Sequence, residues 1–307
     1  MSDCVRIHRF DPTTITNDSI VLFLGSRGQG KTTTMKRFLY DNRHRIRTVV
    51  CFSATAGVEA NSAFKHMFPD TFMYEEYKPA VVKRVVDYCR ITDYCGGVCF
   101  VLEDVMNDAT EIRKDPAMKY IAFNGRHNKF WIFITMQFAH TLKPEMRSQF
   151  DYIVLTKISN HQDRERIYKS LAGCIPSFKM FCKLLDTFTD NHGVLVISNR
   201  SESTRLEDSV FFFRAPKELP RFELGSKKLW NYHRTHYDEN YIQRKLEELK
   251  RSLNVNRDRP QQEKPEKIDN GENEERPPAK KKRRAKGKKV LTMQEAECDP
   301  NSRVIYL

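Results

Sequence analysis

The chain has 307 residues, a mass of 36.2 kDa and a formal net charge of +13, from 53 Lys and Arg against 40 Asp and Glu. Hydrophobic residues make up 39% and aromatics 11%, which supports a folded core and excludes a wholly disordered chain. Eight cysteines at this length exclude a small disulfide-stapled scaffold, and no stretch approaches the roughly 18 apolar residues of a membrane span.

Short apolar runs alternate with helix-like segments over the first 252 residues. Ser19 to Leu24 reads as the first strand and residues 31–40 as a helix with Met35, Phe38 and Leu39 on its inner side. Arg47 to Phe52 is a second strand, and residues 57–68 are a predicted helix. Val81, Val82, Val85, Val86 and Cys89 share one face of the next helix. Further strands are predicted at Val98 to Leu102, Phe130 to Thr135, Tyr152 to Thr156 and Val194 to Ile197, with Val210 to Phe213 as an edge strand. A helix near residues 238–251 presents Ile242, Leu246 and Leu249. The strands are continuously apolar rather than alternating, as a mostly parallel sheet with helices on both faces requires. The expected fold is therefore a three-layer α/β domain.

Residues 253–307 read as a polar tail. They carry few apolar side chains, too few to offset the entropy of ordering. Within the tail, Lys280 to Lys289 holds eight basic residues and no acidic one. Without that run, 45 basic residues face 40 acidic ones, so the charge excess is largely local. The run fits a nuclear-import signal, a nucleic-acid tether or a solvated tail. The last residues, from Val290, regain some apolar character and fit a short docking element. The N-terminus lacks a signal peptide's apolar region, and no C-x-x-C pair occurs, so reduced structural thiols in a reducing compartment are expected. Cys99, inside an apolar run, reads as a small buried hydrophobe.

The deciding motif is Gly25-Ser26-Arg27-Gly28-Gln29-Gly30-Lys31-Thr32, which fits G-x-x-x-x-G-K-[ST] between a strand and a helix. Gly25 turns the chain out of the strand, while Gly28 and Gly30 allow backbone geometries that a Cβ hinders. Successive amides then face phosphate oxygens at a positive helix terminus. Lys31 reaches the β- and γ-phosphates, and the Thr32 hydroxyl binds Mg²⁺, with Thr33 in a weaker supporting role. The cofactors expected from this loop are ATP and Mg²⁺.

Hydrolysis needs carboxylates beside the metal. The strand that begins at Val98 ends in Glu103-Asp104, the candidate pair. One would hold the metal and the other orient or activate the attacking water, with the division of labour open. The next strand ends at Gln137, whose amide can both donate and accept beside a γ-phosphate. Arg126 and Arg147 are candidates for a guanidinium supplied across a subunit interface, with Arg126 slightly favoured. Arg27 lies inside the phosphate loop, within reach of phosphate or nucleic acid.

In order along the chain, Gly25 to Thr32 after a strand, the strand closed by Glu103-Asp104, Asn124-Gly125-Arg126-His127 before a Gln137-terminated strand, and Arg147 to Ile153 resemble the genome-packaging ATPases of large nucleocytoplasmic DNA viruses. These belong to the FtsK–HerA superfamily of P-loop translocases, whose fold is RecA-like. The resemblance covers roughly residues 18–200. It implies a ring-forming ATPase that moves double-stranded DNA into a preformed capsid and works with capsid or portal proteins. The implied location is the virion or the host-cell assembly site, with nuclear passage if the run 280–289 is an import signal. It also implies that Gln137 is a polar sensor and makes Arg126 the better trans-acting arginine. Glu103 stands where the family more often has Asp. Basic segments at 157–169 and around Lys227-Lys228 are candidate DNA-contacting arms.

Overall fold

A chain with this many uninterrupted apolar runs must bury both faces of its strands. The computed structural model describes residues 4–54, 64, 66–92, 97–105, 114–137, 144–238, 240, 244, 247, 251 and 302–306. Its ten strands form one sheet: β1 (Cys4–Arg9), β2 (Ile20–Leu24), β3 (Thr48–Ser53), β4 (Met73–Tyr74), β5 (Val98–Glu103), β6 (Trp131–Met136), β7 (Tyr152–Leu155), β8 (Gly193–Ser198), β9 (Val210–Arg214) and β10 (Ser302–Tyr306). Their order is β10-β1-β9-β8-β7-β2-β6-β5-β3-β4. From β7 to β4 every pairing is parallel, whereas β8 runs antiparallel to both β7 and β9, and β10 antiparallel to β1.

Successive residues of each central strand belong to two separate cores. On one face lie Leu22, Leu24, Phe100, Leu102, Ile132, Ile134, Leu195 and Ile197. On the other lie Val21, Phe23, Cys99, Val101, Trp131, Phe133, Val194 and Val196. Helices α2 (Pro79–Thr92), α3 (Pro116–Asn124), α5 (His161–Leu171) and α6 (Phe178–Phe188) cover the first face with Val82, Ile121, Ile167 and Leu184. Helix α1 (Lys31–Asp41) covers the second with Met35, Phe38 and Leu39. The three-layer α/β architecture follows from this double burial. Short helices α4 (Pro144–Arg147) and α7 (Leu206–Ser209) precede β7 and β9, and α8 (Lys227–His236) follows Gly225.

Several details differ from the sequence expectation. β9 is interior, because β1 pairs with it in parallel. β1 itself was not expected as a strand. The terminal residues 302–306, expected in the polar tail, form β10 against β1. The predicted helix at 57–68 lies mostly outside the described residues, and His66, Met67 and Phe68 form a turn and a bend. The basic segment 157–169 is largely helix α5, where Arg164 is paired with Asp186, Arg166 with Asp163 and Lys169 with Glu165. The chain divides into two compact units, Met1–Tyr237 with Cys298–Leu307, and Asp238–Glu297. In the second unit Asn240, Arg244, Glu247 and Arg251 are helical, while Ile242, Leu246, Leu249 and the run 280–289 lie outside the described residues.

Phe38 anchors α1 to the sheet. It is fully buried and meets the rings of Phe10, Phe23 and Phe213 at centroid distances of 5.6, 5.4 and 5.3 Å. Replacing Phe38 by Ala should cost about 3–5 kcal/mol through lost burial and a residual cavity, read as a lowered denaturation midpoint. A loss below about 1 kcal/mol would mean that α1 is not packed through this residue.

Candidate nucleotide site

The site is built at the C-terminal ends of three adjacent strands. β2 ends at Leu24, and the loop from Gly25 to Gly30 carries the chain into α1. Gly25 donates its N–H to Met136 O of β6 at 3.2 Å, and Thr156 N donates to Leu24 O at 3.0 Å, so the loop's base is held from both sides. Gly25 has φ +148°, and a Cβ there would stand 2.0 Å from Thr156 Oγ1. Gly28 and Gly30 also have positive φ, at +76° and +86°. Main-chain conformations of this kind let consecutive amides converge on one point.

Gly30 caps α1 without any side-chain hydrogen bond, and the first turn of α1 has no acidic residue. By contrast, Asp115, Asn160, Ser177 and Ser226 cap α3, α5, α6 and α8 through their side chains. The amide donors at the start of α1 are thus left for an external anion, aided by the helix dipole. Ser26, Arg27 and Gly28 are exposed, while Gln29, Gly30, Lys31 and Thr32 are half-buried. The Lys31 ammonium reaches back across the loop, donating to Gly25 O at 2.8 Å and Ser26 O at 2.9 Å. Burial lowers its pKa, and the charges of Asp104 and Glu103 oppose that shift. Thr33 is exposed, and Thr34 is buried in the helix–sheet layer.

The two predicted carboxylates are brought to this loop in different settings. Glu103 ends β5, is buried, and accepts hydrogen bonds from Thr32 Oγ1 at 2.7 Å and Ser53 Oγ at 2.6 Å. Asp104 is exposed, sits at φ +52°, and donates its backbone N–H to Thr135 Oγ1 at 3.1 Å. Its carboxylate accepts from Gln137 Nε2 at 2.9 Å. The left-handed turn at Asp104 lets consecutive side chains both serve the site, although strand geometry alone would send them to opposite faces. Burial also lowers the Lys36 pKa, opposed by the Glu103 charge, so a second cation lies in the carboxylate's field.

Thr32 and Glu103 offer hard oxygen donors on adjoining sides of one point. Mg²⁺ commonly takes one or two protein oxygens and completes its shell with phosphate and water, so the donor set fits it. Among the described residues there is no group of three or more His, Cys, Asp or Glu suited to a metal ion.

Arg126 and Arg147 are not brought to the loop within the chain. Arg126 donates to Asp151 Oδ1 at 2.8 Å, and Asp151 also accepts from Ile20 N at 2.8 Å and Arg200 Nε at 2.9 Å. Ile20 begins β2, so this network lies at the opposite end of the sheet from Gly25. Arg147 closes α4, just before β7 begins at that same end.

Sequence reasoning missed Ser53, Thr135, Thr156 and His192. The first three are small hydroxyl residues at or just beyond strand ends, indistinguishable in sequence from ordinary core polar groups. His192 follows Asn191, both at positive φ, and a Cβ on Gly30 would come within 3.8 Å of its ring nitrogen Nδ1. Cys51, Cys89 and Cys99 are buried thiols, and burial pushes the Cys51 and Cys99 pKa values up. None of the described helices is long and apolar enough to cross a membrane.

No family model matches the chain. It is 27% identical over 250 residues to an uncharacterised protein of Acanthamoeba polyphaga mimivirus, covering 77% of this chain and 86% of the relative. An uncharacterised protein of Invertebrate iridescent virus 3 is 29% identical over 214 residues, covering 67% of this chain and 80% of the relative. A third relative, from Frog virus 3, is 27% identical over 218 residues, with 69% and 66% coverage. Among solved structures, the chain is similar to the DNA-packaging ATPase from Sulfolobus turreted icosahedral virus, with TM-score 0.49 and 13% identity over 66% of this chain and 100% of that one. The pCW3 conjugation coupling protein TcpA gives TM-score 0.46 and 11% identity over 78% of this chain and 71% of that one.

The loop geometry has a direct test. Gly25→Ala meets both an unfavourable dihedral and the Thr156 hydroxyl, so affinity for a fluorescent ATP analogue should fall at least about ten-fold, the strain alone costing about 1–3 kcal/mol. Adding Thr156→Ala should restore only part of the loss, because the dihedral penalty remains. Unchanged binding by Gly25→Ala would show that nucleotide does not use this loop conformation.

Proposed function

We propose that the chain is a magnesium-dependent P-loop ATPase, hydrolysing ATP to ADP and phosphate. The observation that carries this reading is the 2.7 Å hydrogen bond from Thr32 to Glu103, which joins the phosphate loop to the carboxylate end of β5. In this reading the amides from Ser26 to Thr33 and the Lys31 ammonium bind the phosphates and offset their charge. Thr32 and Glu103 hold the metal, which when bound draws charge from the phosphate oxygens. Asp104 orients and deprotonates the attacking water, and Gln137 fixes the orientation of that carboxylate. Burial and its two hydrogen bonds suit Glu103 to a fixed ligand, whereas exposure suits Asp104 to meeting water.

The finer reading is a motor on double-stranded DNA that fills a viral capsid as a ring. It is supported by the sequence resemblance and by relatives that are viral proteins. A capsid or portal protein is then the docking partner, and the virion or assembly site is the place of action. Arg126 and Arg147 are the guanidinium donors available between subunits, and Arg126 would act from its seat on Asp151. The broader reading, an ATPase with another nucleic-acid or assembly task, requires only the site geometry and is the better founded of the two.

Turnover measured with and without duplex DNA, with oligomeric state recorded in parallel, separates these readings. Hydrolysis stimulated by duplex DNA is expected of a motor, and DNA-independent hydrolysis of the broader ATPase. Lys31→Ala should abolish turnover with the circular-dichroism spectrum intact. Asp104→Asn should keep nucleotide binding and lose about 10²–10⁴ in kcat, the range for a lost general base. Glu103→Gln should instead weaken the dependence of nucleotide affinity on Mg²⁺. If Lys31→Ala still hydrolyses ATP, the catalytic assignment is wrong.

A further inference from the structure

The strand order gives the phosphate loop two sides. β2, which feeds the loop, lies between β6 and β7. Glu103 and Asp104 stand beyond β6, at and just after the end of β5. On the other side β7 runs parallel to β2 and β8 antiparallel to β7, so β8 begins where β2 and β7 finish. The turn leading into β8, Thr189 to His192, therefore flanks the loop opposite the carboxylates. The approach is close: a Cβ built on Gly30 would lie 3.8 Å from both Cβ and Nδ1 of His192.

This turn holds His192 in an uncommon backbone state. Asn191 and His192 both have positive φ, at 49° and 58°. Two consecutive non-glycine residues in the left-handed region cost conformational free energy, so the surroundings must impose the conformation. Several contacts do so. Thr189 donates its N–H to Leu185 O at 2.9 Å and its hydroxyl to the same oxygen at 2.6 Å. Arg214 Nη2 donates to Asp190 O at 3.1 Å, and Lys157 Nζ lies 4.0 Å from Asp190 Oδ1. Gly193 closes the turn where no side chain fits, since a Cβ there would stand 2.2 Å from Phe188 O.

The main chain is thus fixed and the ring is left open. His192 is exposed, and among the described residues its imidazole has no hydrogen-bond, ion-pair or ring partner. The cations of the turn, Lys157 and Arg214, are engaged on Asp190. Phosphate charge is met elsewhere, by the amides at the start of α1 and by Lys31. An exposed aromatic ring without a partner suits the flat face of a base. In the ATPase reading the γ-phosphate points toward Glu103 and Asp104, so the nucleoside leaves the loop on the opposite side, toward His192.

The geometry points to His192 as a further nucleotide-binding residue, its imidazole stacking on the base while the Asn191–His192 turn holds the ring beside Gly30. The inference rests on the ATPase reading for the direction of the bound nucleotide. It adds a contact to the nucleoside, which the phosphate loop, Glu103, Asp104 and Gln137 do not supply.

The test is isothermal titration calorimetry of the full chain in Mg²⁺ with ATP and with inorganic tripolyphosphate, which offers the phosphates without a nucleoside. His192→Asn removes the ring but keeps a residue that tolerates positive φ. Its affinity for ATP should fall about five-fold or more, as expected for loss of one base–aromatic stack, while its affinity for tripolyphosphate stays within about two-fold of wild type. A ring nitrogen bonded to phosphate, or a turn that only shapes Gly30, would instead weaken both ligands alike. That result, or an unchanged ATP affinity, would overturn the proposal. Lys31→Ala separates this inference from the reading beneath it, because it should weaken both ligands. If Lys31→Ala weakens neither, or the wild-type chain binds neither, the phosphate-loop reading has failed and this inference with it. If Lys31→Ala weakens both and His192→Asn binds ATP like wild type, that reading stands and only the base contact is wrong.

Discussion

A hydroxyl on one strand's loop and a carboxylate on another strand's end meet at 2.7 Å, although those strands are not neighbours. β6 lies between β2 and β5. Thr32 and Glu103 make contact because Thr32 opens a helix that folds back over the sheet. The register β2–β6–β5 must therefore hold along its length for the site to exist. Ile20 pairs with Ile132, and Phe100 pairs with the same Ile132, which keeps the three strand ends level. A one-residue slip would send Glu103 to the opposite face and exchange the two cores. The apolar packing that fixes this register is thus also what places the chemistry.

The same intervening strand supplies the polar groups around Asp104. Thr135 near the end of β6 accepts the Asp104 N–H, and Gln137 just beyond that end donates to its carboxylate. The two acids consequently differ in surroundings: Glu103 is enclosed by two hydroxyls, and Asp104 is open on one side. In the proposed reading, environment rather than residue type divides their work. The adjacent pair in the sequence left the choice of metal ligand open, and the proposed reading assigns it to Glu103 on this difference in surroundings.

Much of the central sheet was legible because its strands are buried on both faces and so read as unbroken apolar runs. The turn from β2 into α1 was legible because the glycines at 25, 28 and 30 mark positive-φ backbone at fixed spacing. β1 was not, since Val5 and Ile7 alternate with Arg6 and His8 in a strand near the sheet margin. The interior position of β9 depends on pairing with β1, a contact some two hundred residues distant, and no local pattern records it. Ser53, Thr135 and Thr156 carry no signature because a hydroxyl at a strand end becomes part of a site only through the strand order. The resemblance nominated Arg126 as a trans-acting arginine, whereas its pairing with Asp151 at the far end of the sheet is visible only in the fold.

The account depends on Thr32 and Glu103 acting together on one metal. A double-mutant cycle measures this: affinity for an ATP analogue in Mg²⁺, determined for wild type, Thr32→Val, Glu103→Gln and the double variant. The account predicts strong non-additivity, with the double variant scarcely weaker than the weaker single variant and a coupling of about 1 kcal/mol or more. Losses that simply add, within about 0.5 kcal/mol, would show that the two residues do not share a ligand and would contradict it.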